Sequence, residues 1–474
     1  MDNNGLNHID SFVNSTRDVV YLRDIDRLLI IRPNKIQHLN ETAFNMLHLI
    51  YNMKSSAEDT IRKMAEKYGV EKGRLKNDLV KLTQSINAIM KEDYAGACMV
   101  DTIPFNPESI KYPVLSEIAL TYSCQNNCDF CYASSPYRGE RSSEMKTDDI
   151  KKIIHKISDE AHVPTISFTG GEPTLRKDLP ALIEFAHGLG MRTNLITNGI
   201  KCSNNSFVEK LKKSGLDSAQ VSLESHREDI HNDITGNSSA YKNTIKGIHN
   251  LKNAGIYTHT NTTICLKNMD HLKPLARFIK DEFDFSYLSM NMVIKTGIAR
   301  DNGNVKINYT SIGDIIRPVI IYCESMELKF VWYSPTPYCI FNPVDHNLGS
   351  KSCACISGLL SVNPGGEILP CSSYDRGVGN LLNHSFDYIW NSDEALYFRE
   401  KRYLPPVCSS CDYDELCGGA CPLYWENEGC FDEIENISHN RYRLKNILWS
   451  IENKLRVKAK GVKGLKAFRR DTNG

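Results

Sequence analysis

Sixteen cysteines, gathered at short spacings, constrain this 474-residue chain more than any other feature. Cys124, Cys128 and Cys131 follow one another closely, and eight more cysteines lie between Cys353 and Cys430. Only Cys98 precedes these groups. A chain that stays inside the cell has little use for disulfides, and disulfides need no such tight spacing. The pattern therefore predicts that cysteine groups bind metal or take part in catalysis.

Composition and charge exclude several classes of protein. The chain carries 57 basic and 57 acidic residues, so it lacks the overall positive charge of a dedicated nucleic-acid binder. No apolar run approaches the roughly 20 residues that a membrane span needs. Residues 1–4 lack the basic start and apolar core of a signal peptide. We therefore expect a cytoplasmic protein with no membrane and no nucleic-acid partner.

The first 95 residues predict a small domain without metal ligands. Asn40 is a suitable N-cap for its first helix, and Gly69 is placed to end its second. A small sheet with three helices is the arrangement of a winged-helix domain, and the proline-containing residues 96–112 predict a linker. The predicted strands are residues 19–22, 27–31 and 36–39, and the predicted helices are residues 41–51, 57–68 and 71–91.

The next segment, residues 113–330, alternates between strand and helix. Six such units in a row predict a parallel sheet of the α/β class that curls into a partial (β/α)6 barrel. Chemistry in barrels of this kind lies at the C-terminal ends of the strands, and Cys124 directly follows the first strand. The predicted strands are residues 117–122, 165–168, 192–197, 218–223, 257–264 and 287–293, and the helices are residues 148–161, 179–189, 207–214, 241–254 and 269–280.

The alternation stops after residue 330. Residues 331–435 gain cysteine, glycine and proline, and they predict a small, loop-rich domain held by metal. Residues 436–474 predict a C-terminal helix and a basic tail, which is more often solvated than bound to a partner. A chain of this length has a prior of about three domains, in agreement with this division.

The spacing of Cys124, Cys128 and Cys131 is C-x3-C-x2-C. Three thiolates this close can hold three corners of a [4Fe-4S] cube, whose full ligation takes four cysteines. Because no fourth cysteine is nearby, one iron would be open to a cofactor or substrate, whereas a structural zinc site would need a fourth ligand. With the aromatic Phe130 directly before the third cysteine, the motif resembles the radical S-adenosylmethionine (SAM) superfamily.

The resemblance continues after the second predicted strand, at Gly170, Gly171, Glu172 and Pro173. Glycines at such a position let the backbone approach a ligand closely. In the superfamily this loop binds the amino group of the SAM methionine. The resemblance therefore implies that Glu172 receives that ammonium group.

Three later strand ends add to the resemblance. Asn198 ends the third strand, and Ser222 and Glu224 stand at the position that contacts the SAM ribose in the superfamily. Residues 297–300 resemble the region near the adenine. Family members usually carry Asp where Glu224 stands, so this position departs from the common pattern.

The resemblance also implies the chemistry. The open iron binds the SAM methionine, one electron from the cluster cleaves SAM, and the resulting 5′-deoxyadenosyl radical abstracts hydrogen from the substrate. The low potential of such clusters implies a ferredoxin or flavodoxin as electron donor. The sequence singles out no catalytic acid or base, and His226 and His231, after the fourth strand, are interpreted as polar loop residues.

The C-terminal cysteines resemble the SPASM extension of radical SAM enzymes, which carries two auxiliary [4Fe-4S] clusters. A turn at residues 364–366 predicts a hairpin that returns a strand, residues 367–370, to the metal. With the SAM-binding cluster, the resemblance implies three [4Fe-4S] clusters in all. It assigns the outer auxiliary cluster to Cys408, Cys411, Cys417 and Cys430, and the inner one to Cys355, Cys371 and Cys421.

The fourth ligand of the inner cluster has several candidates. Cys353 could serve or could replace Cys355, Cys339 is another candidate, and an open iron that binds the substrate is a further alternative. Zinc is an alternative for the whole set, because C-x2-C pairs suit zinc. Three other cysteines are interpreted as buried core residues: Cys202, Cys265 and Cys323.

Residues 18–91 resemble the PqqD-like domain, also called a RiPP recognition element, which binds ribosomally made peptides destined for modification. The resemblance implies that a leader peptide adds as a strand to an exposed edge at residues 36–39, while helix side chains supply specificity. The alternative is a winged helix that binds DNA or only packs against the core. The mixed charge of the module weakens the DNA alternative.

The order of these three parts resembles that of many peptide maturases. It implies an enzyme that cleaves SAM reductively and installs a thioether or carbon–carbon crosslink on a ribosomally synthesised precursor peptide. One alternative keeps the radical chemistry but acts on a tetrapyrrole or a small metabolite. Another is a non-enzymatic scaffold that binds zinc.

Overall fold

The computed structural model describes residues 4–32, 35–91, 111–134, 144–408, 411 and 413–435 of the chain. Most of the predicted linker and all of the predicted C-terminal helix and basic tail, residues 436–474, lie outside these described residues. Within the described ranges, no helix is long and apolar enough to cross a membrane. The chain forms an N-terminal module, a core of parallel strands and a cysteine-rich C-terminal part.

The N-terminal module is a three-stranded antiparallel sheet packed against helices, with β2 in the centre. The predicted caps are confirmed, since the Asn40 side chain accepts a hydrogen bond from the Ala43 N–H at 2.8 Å and Gly69 ends its helix in the left-handed region. The elements are α1 (Asn4–Thr16), β1 (Val20–Arg23), β2 (Leu28–Ile31), β3 (Lys35–His38), α2 (Glu41–Leu47, continued by a π-helical turn His48–Asn52), α3 (Ala57–Tyr68) and α4 (Lys72–Met90).

The core holds seven parallel strands that neighbour one another in chain order. The predicted strands and helices are confirmed, with shifts of a few residues at their ends. The elements are β4 (Leu115–Thr121), α5 (Thr147–Asp159), β5 (Thr165–Gly170), α6 (Leu179–Gly188), β6 (Arg192–Thr197), α7 (Asn205–Lys213), β7 (Ser218–Ser222), α8 (Glu228–Thr235), α9 (Ala240–Asn253), β8 (Tyr257–Ile264), α10 (Leu272–Phe283), β9 (Tyr287–Met292), α11 (Tyr309–Ser325) and β10 (Lys329–Trp332).

The prediction of six core strands is wrong, because β10 is a seventh. It pairs in parallel with β9 and crosses the predicted domain boundary at residue 330. Sequence reasoning missed it because it has only four residues and follows a helix that contains Pro318. Phe330 and Trp332 nevertheless bury their rings in the core of the molecule, and this burial stabilises the short strand.

The C-terminal part is joined to the core through the sheet. Strand β11 pairs in parallel with β4, and the predicted hairpin is confirmed as β11 and β12 around Gly366, whose φ is +87°. The hairpin therefore carries Cys371, just after β12, toward the strand that precedes Cys124. The elements are β11 (Leu359–Val362), β12 (Glu367–Leu369), β13 (Gly379–Asn380), α12 (Phe386–Trp390), α13 (Asp393–Arg399), α14 (Asp414–Cys417), α15 (Pro422–Glu428) and α16 (Asp432–Glu435).

A buried arginine joins the N-terminal module to the core. Arg23 is only 2% exposed and makes two hydrogen bonds to the carboxylate of Asp26, at 3.0 and 2.8 Å. Its guanidinium also donates to the carbonyl of Pro113 at 2.6 Å and to that of Tyr112 at 3.1 Å. The module is thus held to the residues that lead into β4.

Candidate functional site

The loop after β4 gathers three thiols. Cys124, Cys128 and Cys131 are half-buried, and their thiols are close enough to interact electrostatically. Burial, reinforced by these neighbours, raises the pKa of Cys124 to about 12 and that of Cys128 well above its ordinary value. The three predicted cluster ligands therefore stand together at the carboxyl end of the first core strand.

Backbone contacts fix the path of this loop. Asn127 and Asp129 donate their N–H groups to carbonyls at the end of α8, at 2.9 and 3.0 Å. On the other side, Ile298 donates to the Cys131 carbonyl at 3.0 Å. Gly297 has a φ of +56°, and a Cβ there would lie 2.3 Å from the Cys131 oxygen, so only glycine fits beside the loop. The predicted adenine region therefore packs against the third cysteine.

The segment after β5 is bonded directly to the cysteine loop. Gly171 donates to the Thr121 carbonyl at 2.8 Å, and Glu172 donates to the Ser123 carbonyl at 2.9 Å. Gly170 has a φ of +137°, and a Cβ on it would lie 2.1 Å from the Thr121 oxygen. This close approach requires glycine and places the predicted SAM-binding loop against the cysteines.

The Glu172 side chain is buried inside this segment, with 0% exposure. One oxygen accepts hydrogen bonds from the Thr174 and Thr197 hydroxyls at 2.6 and 2.8 Å, and the other accepts from the Asn198 N–H at 2.8 Å. Burial raises the carboxyl pKa, and these hydrogen bonds oppose the rise. The carboxylate thus ties the loop to the end of β6, and its contact with a SAM ammonium remains a prediction.

Asn198 links the end of β6 to the cysteine loop. Its amide nitrogen lies 3.8 Å from the Cys124 sulfur, within hydrogen-bonding reach of sulfur. Its amide oxygen accepts from the Gln125 side chain at 3.2 Å and from the Ile200 N–H at 3.0 Å. Asn198 is therefore placed to orient the first cysteine.

Ser222 and Glu224 lie at the end of β7, where the resemblance predicted contact with the ribose. Ser222 is half-buried, whereas Glu224 is buried and accepts a hydrogen bond from the Thr263 N–H at 2.9 Å. Burial raises the pKa of the Glu224 carboxyl to about 8, and that carboxyl is close enough to Cys128 to raise the pKa of its thiol. Burial thus favours the uncharged form of the Glu224 carboxyl, which lies beside the cysteine loop.

The two nearby histidines differ in position. The interpretation of His231 as a loop residue is wrong, since it lies within α8 and is buried. Its Nδ1 accepts the Glu224 N–H at 3.1 Å, and burial lowers its pKa to about 4. His226 precedes α8 in the loop that sequence reasoning expected.

A second group of thiols forms beside β12. Cys353, Cys355, Cys371 and Cys421 interact electrostatically with one another. The pKa of Cys355 is raised first by its hydrogen bond with Cys353 and then by burial, whereas burial is the largest cause of the raised pKa values of Cys371 and Cys421. The structure therefore brings Cys353 to the three residues assigned to the inner cluster. Cys353 and Cys355 both belong to the group, so one need not replace the other.

A buried hydroxyl accompanies this inner group. Tyr374 is 6% exposed, and its hydroxyl has no hydrogen-bond partner among the described residues. Burial and then the thiols of Cys421, Cys355 and Cys371 raise its pKa. An unpaired buried donor is costly, and a cluster held by these thiols would offer it sulfur acceptors. The inner group therefore fits an iron–sulfur cluster.

The outer group contains a cysteine that the resemblance did not assign to it. The Tyr338 N–H donates to the Cys417 sulfur at 3.4 Å, and the neighbouring Cys339 thiol interacts with Cys417, Cys408 and Cys411. Burial raises the pKa of Cys339 to about 12. In this structure Cys339 therefore stands with the outer thiols, and its role as a cluster ligand stays a prediction. Cys430, which the resemblance assigned to the outer cluster, is exposed just after α15.

Three further cysteines lie in the core, as the sequence predicted. Cys202, Cys265 and Cys323 are buried. In the described ranges, no three His, Cys, Asp or Glu side chains converge closely enough to hold a single metal ion. A [4Fe-4S] cluster does not require its ligands to converge on one point, because each thiolate binds its own iron atom.

Comparison with known protein families agrees with this geometry. Residues 118–279 match the Radical SAM superfamily, and residues 353–412 match SPASM, an iron-sulfur cluster-binding domain. The chain therefore carries a radical SAM domain followed by a SPASM domain. It is an enzyme that uses S-adenosylmethionine and [4Fe-4S] clusters, and the non-enzymatic zinc scaffold is set aside.

Similar proteins include AdoMet-dependent heme synthases and PqqA peptide cyclases. The AdoMet-dependent heme synthase of Oleidesulfovibrio alaskensis is 26% identical over 321 residues, which are 63% of this chain and 80% of that protein. The PqqA peptide cyclase of Bradyrhizobium diazoefficiens is 25% identical over 328 residues, which are 66% of this chain and 82% of that protein. Streptococcus suis SuiB bound to the precursor peptide SuiA shares the fold, with a TM-score of 0.64 at 18% identity over 86% of this chain and 95% of that one.

Proposed function

We propose that this enzyme cleaves SAM reductively and modifies a ribosomally synthesised precursor peptide, forming a thioether or a carbon–carbon crosslink. The observation that carries the proposal is the three-thiol loop bonded to the glycine-rich segment at the carboxyl end of β4 and β5. When bound, the cluster and SAM supply one-electron cleavage and hydrogen abstraction. The residues of the chain would bind and orient both groups.

The proposed roles follow from the contacts of each residue. Cys124, Cys128 and Cys131 hold the SAM-binding cluster. Gly170 lets its segment lie against the Thr121 carbonyl, where a Cβ would not fit. Together with Gly171 it is proposed to bring the backbone close to the SAM methionine. A further set completes the cofactor site: Glu172, Pro173, Asn198, Ser222 and Glu224.

The auxiliary clusters are proposed to lie in the two C-terminal thiol groups. The inner group has four thiols, enough to ligate a [4Fe-4S] cluster fully. The outer group is proposed to hold the second auxiliary cluster, which brings the total to three. A ferredoxin or flavodoxin is the proposed electron donor.

The N-terminal module supports a peptide as substrate. Leu39 donates its N–H to the Arg27 carbonyl at 3.3 Å, and the strand register pairs Ile36 with Ile30. Because hydrogen-bonded pairs alternate along an antiparallel ladder, the N–H and C=O of Ile36 point away from β2. In the described residues β3 has no other neighbour in the sheet, so a leader peptide has an edge to which it can add.

The relatives support two substrate classes. A PqqA peptide cyclase, and the shared fold of a SuiB structure that contains a precursor peptide, favour a peptide. The similarity to AdoMet-dependent heme synthases keeps a tetrapyrrole as the second candidate. The sheet edge of the N-terminal module is the feature that favours the peptide.

An anaerobic reaction tests the proposal. The reconstituted enzyme, SAM, a reductant and a short precursor peptide encoded beside the gene are combined, and mass spectrometry follows the peptide and 5′-deoxyadenosine. We expect both SAM cleavage and a loss of hydrogen from the peptide. Cys128→Ala should abolish SAM cleavage, whereas Cys323→Ala, which removes a buried thiol outside the three groups, should retain it. An unchanged peptide together with a modified tetrapyrrole would reverse the choice between the two candidates.

A further inference from the structure

The core strands have two chemically different faces. On one face, Phe168, Leu195 and Val221 are fully buried and belong to the apolar core formed with the surrounding helices. On the other face, Asn194, Gln220 and Asn261 are only half-buried, although fully buried residues flank them along each strand. Since side chains alternate between the faces of a strand, these polar residues line the concave interior of the sheet, which water can reach.

The polar residues of neighbouring strands lie side by side on this face, and most of them are hydrogen-bonded to one another. We define the polar belt as six side chains on the five adjoining strands β5 to β9. Asn194 donates to Ser167 at 3.1 Å, and Asn261 donates to Asn291 at 2.7 Å and accepts from Ser289 at 3.0 Å. The belt members are Ser167, Asn194, Gln220, Asn261, Ser289 and Asn291. Ser222, at the proposed ribose position, pairs in register with Asn261, so the belt adjoins the cofactor site.

The belt is almost without charge. Gln220 lies 3.3 Å from the ring nitrogen of His259, and burial lowers the pKa of that histidine to about 4, so its ring is neutral at neutral pH. Among the described inward-facing strand positions, the cations Arg192 and Lys329 stand only at the first residues of β6 and β10. Those residues lie at the end of the barrel opposite the cofactor site.

Among the described residues of the core strands, one carboxylate lies at the level of the belt, and it is already bound by the protein. Glu117 shares the register of Ser167 and accepts a hydrogen bond from the Ser361 hydroxyl at 2.5 Å and from the Ser372 N–H at 3.2 Å. The interior therefore combines amide and hydroxyl groups with a fixed negative charge.

From this arrangement we infer that the barrel interior accepts an uncharged polypeptide segment and rejects carboxylates. Amide and hydroxyl side chains can both donate to and accept from peptide groups. A tetrapyrrole with carboxylate substituents would instead need cations to replace its lost hydration. The inference rests on the proposed function. It favours a peptide over a tetrapyrrole because of the side chains that line the barrel interior.

Two probes that differ by one charge test the inference. Deuterated N-acetyl-alanyl-alanine amide and the corresponding free acid are each incubated with reconstituted enzyme, SAM and reductant. Deuterium recovered in 5′-deoxyadenosine then reports access to the reacting position. We expect transfer from the amide to exceed transfer from the acid about tenfold, as for a repulsion of about 1.4 kcal/mol. Equal transfer from the two probes, including none from either, would overturn the inference.

Variants at one position separate charge from shape. Gln220→Lys places a cation in the belt and should shift the preference toward the acid, whereas the uncharged Gln220→Met should keep the preference for the amide. Asn253→Lys makes the same charge change at an exposed position at the end of α9 and should leave the ratio unchanged. An unchanged ratio in Gln220→Lys would contradict the proposed role of the belt.

Binding of coproporphyrin III, measured by absorbance after ultrafiltration, gives a readout independent of turnover. We expect weaker binding to the wild-type enzyme than to Gln220→Lys, and equal binding would count against the inference. The two proposals fail in different ways. An unmodified precursor with a retained amide preference would remove the peptide-maturation proposal alone, whereas a modified precursor with equal probe transfer would remove the inference alone.

Discussion

At the residue scale, two tyrosines beside the inner thiol group differ in how their hydroxyls are hydrogen-bonded within the described part of the chain. Tyr374 and Tyr403 both lie near these thiols, but the Tyr403 hydroxyl donates to the Gly418 carbonyl at 3.3 Å. The Tyr374 hydroxyl remains without a hydrogen-bond partner among the described residues. Tyr403 can therefore serve as a control for substitutions of Tyr374.

We predict that Tyr374→Phe lowers the reduction potential of the inner cluster. A hydrogen bond to cluster sulfur stabilises the reduced, more negative state, so its loss disfavours reduction. A redox titration followed by electron paramagnetic resonance measures the shift, and the iron content should not change. Tyr403→Phe is the matched control and should shift the potential less. A larger shift in the control than in Tyr374→Phe would contradict the prediction.

The outer thiol group gives a second prediction at this scale. Because Cys339 stands with Cys408, Cys411 and Cys417, we expect Cys339→Ser to release the outer cluster. With three clusters, this loss corresponds to about a third of the bound iron. Iron analysis and Mössbauer spectroscopy measure it. Cys430→Ser, at an exposed position, should retain more iron, and the reverse order would restore Cys430 as the ligand.

At the scale of elements, the apolar pattern of the sequence predicted those strands and helices that form from local sequence. The six core strands and five of the helices between them were predicted from their sequence patterns, whereas the short helix α8 was missed. Helix α1 was missed because asparagine-rich sequence is a weak helix signal, and the helix depends on Ile9 and Val13 packing into the module. The inward-facing amides were not predicted as a belt, because their common face depends on the register between strands.

The outer edge of β3, where the Ile36 N–H points away from β2, gives a prediction about this element. Ile36→Pro removes an N–H that points away from β2, and we expect it to weaken leader-peptide binding at least tenfold. Fluorescence anisotropy with a labelled leader peptide measures the affinity. Ile36→Ala keeps the N–H and controls for the lost side chain. SAM cleavage without peptide should survive in both variants, and equal affinities would place the leader elsewhere.

At the scale of the whole molecule, the site depends on contacts between parts that are distant in sequence. The cysteine spacing predicted three groups, but the neighbours of Cys353 and Cys339 are decided by where separate loops meet. The pairing of β11 with β4 brings the C-terminal part beside the strand that leads to the first cysteine loop. No local pattern contains this information, because it arises only when the sheet is assembled.

The attachment of the N-terminal module depends in the same way on one buried ion pair. Arg23 and Asp26 are almost fully buried, so removing the arginine leaves an unpaired buried carboxylate. We predict that Arg23→Met costs about 3 kcal/mol of stability, measured by urea unfolding. It should also expose residues near Pro113 to limited proteolysis, because the hydrogen bonds from the module to this segment are lost.

Two further variants test whether the ion pair itself is responsible. Adding Asp26→Leu to Arg23→Met should recover part of the lost stability, because the uncompensated charge is then gone. The exposed Arg27 forms a surface pair with Glu41 at 3.9 Å, so Arg27→Met should cost less than about 1 kcal/mol. If the double variant unfolds as easily as Arg23→Met, the loss comes from the carbonyl contacts at Tyr112 and Pro113. The arginine would then hold the module to the barrel without help from its carboxylate partner.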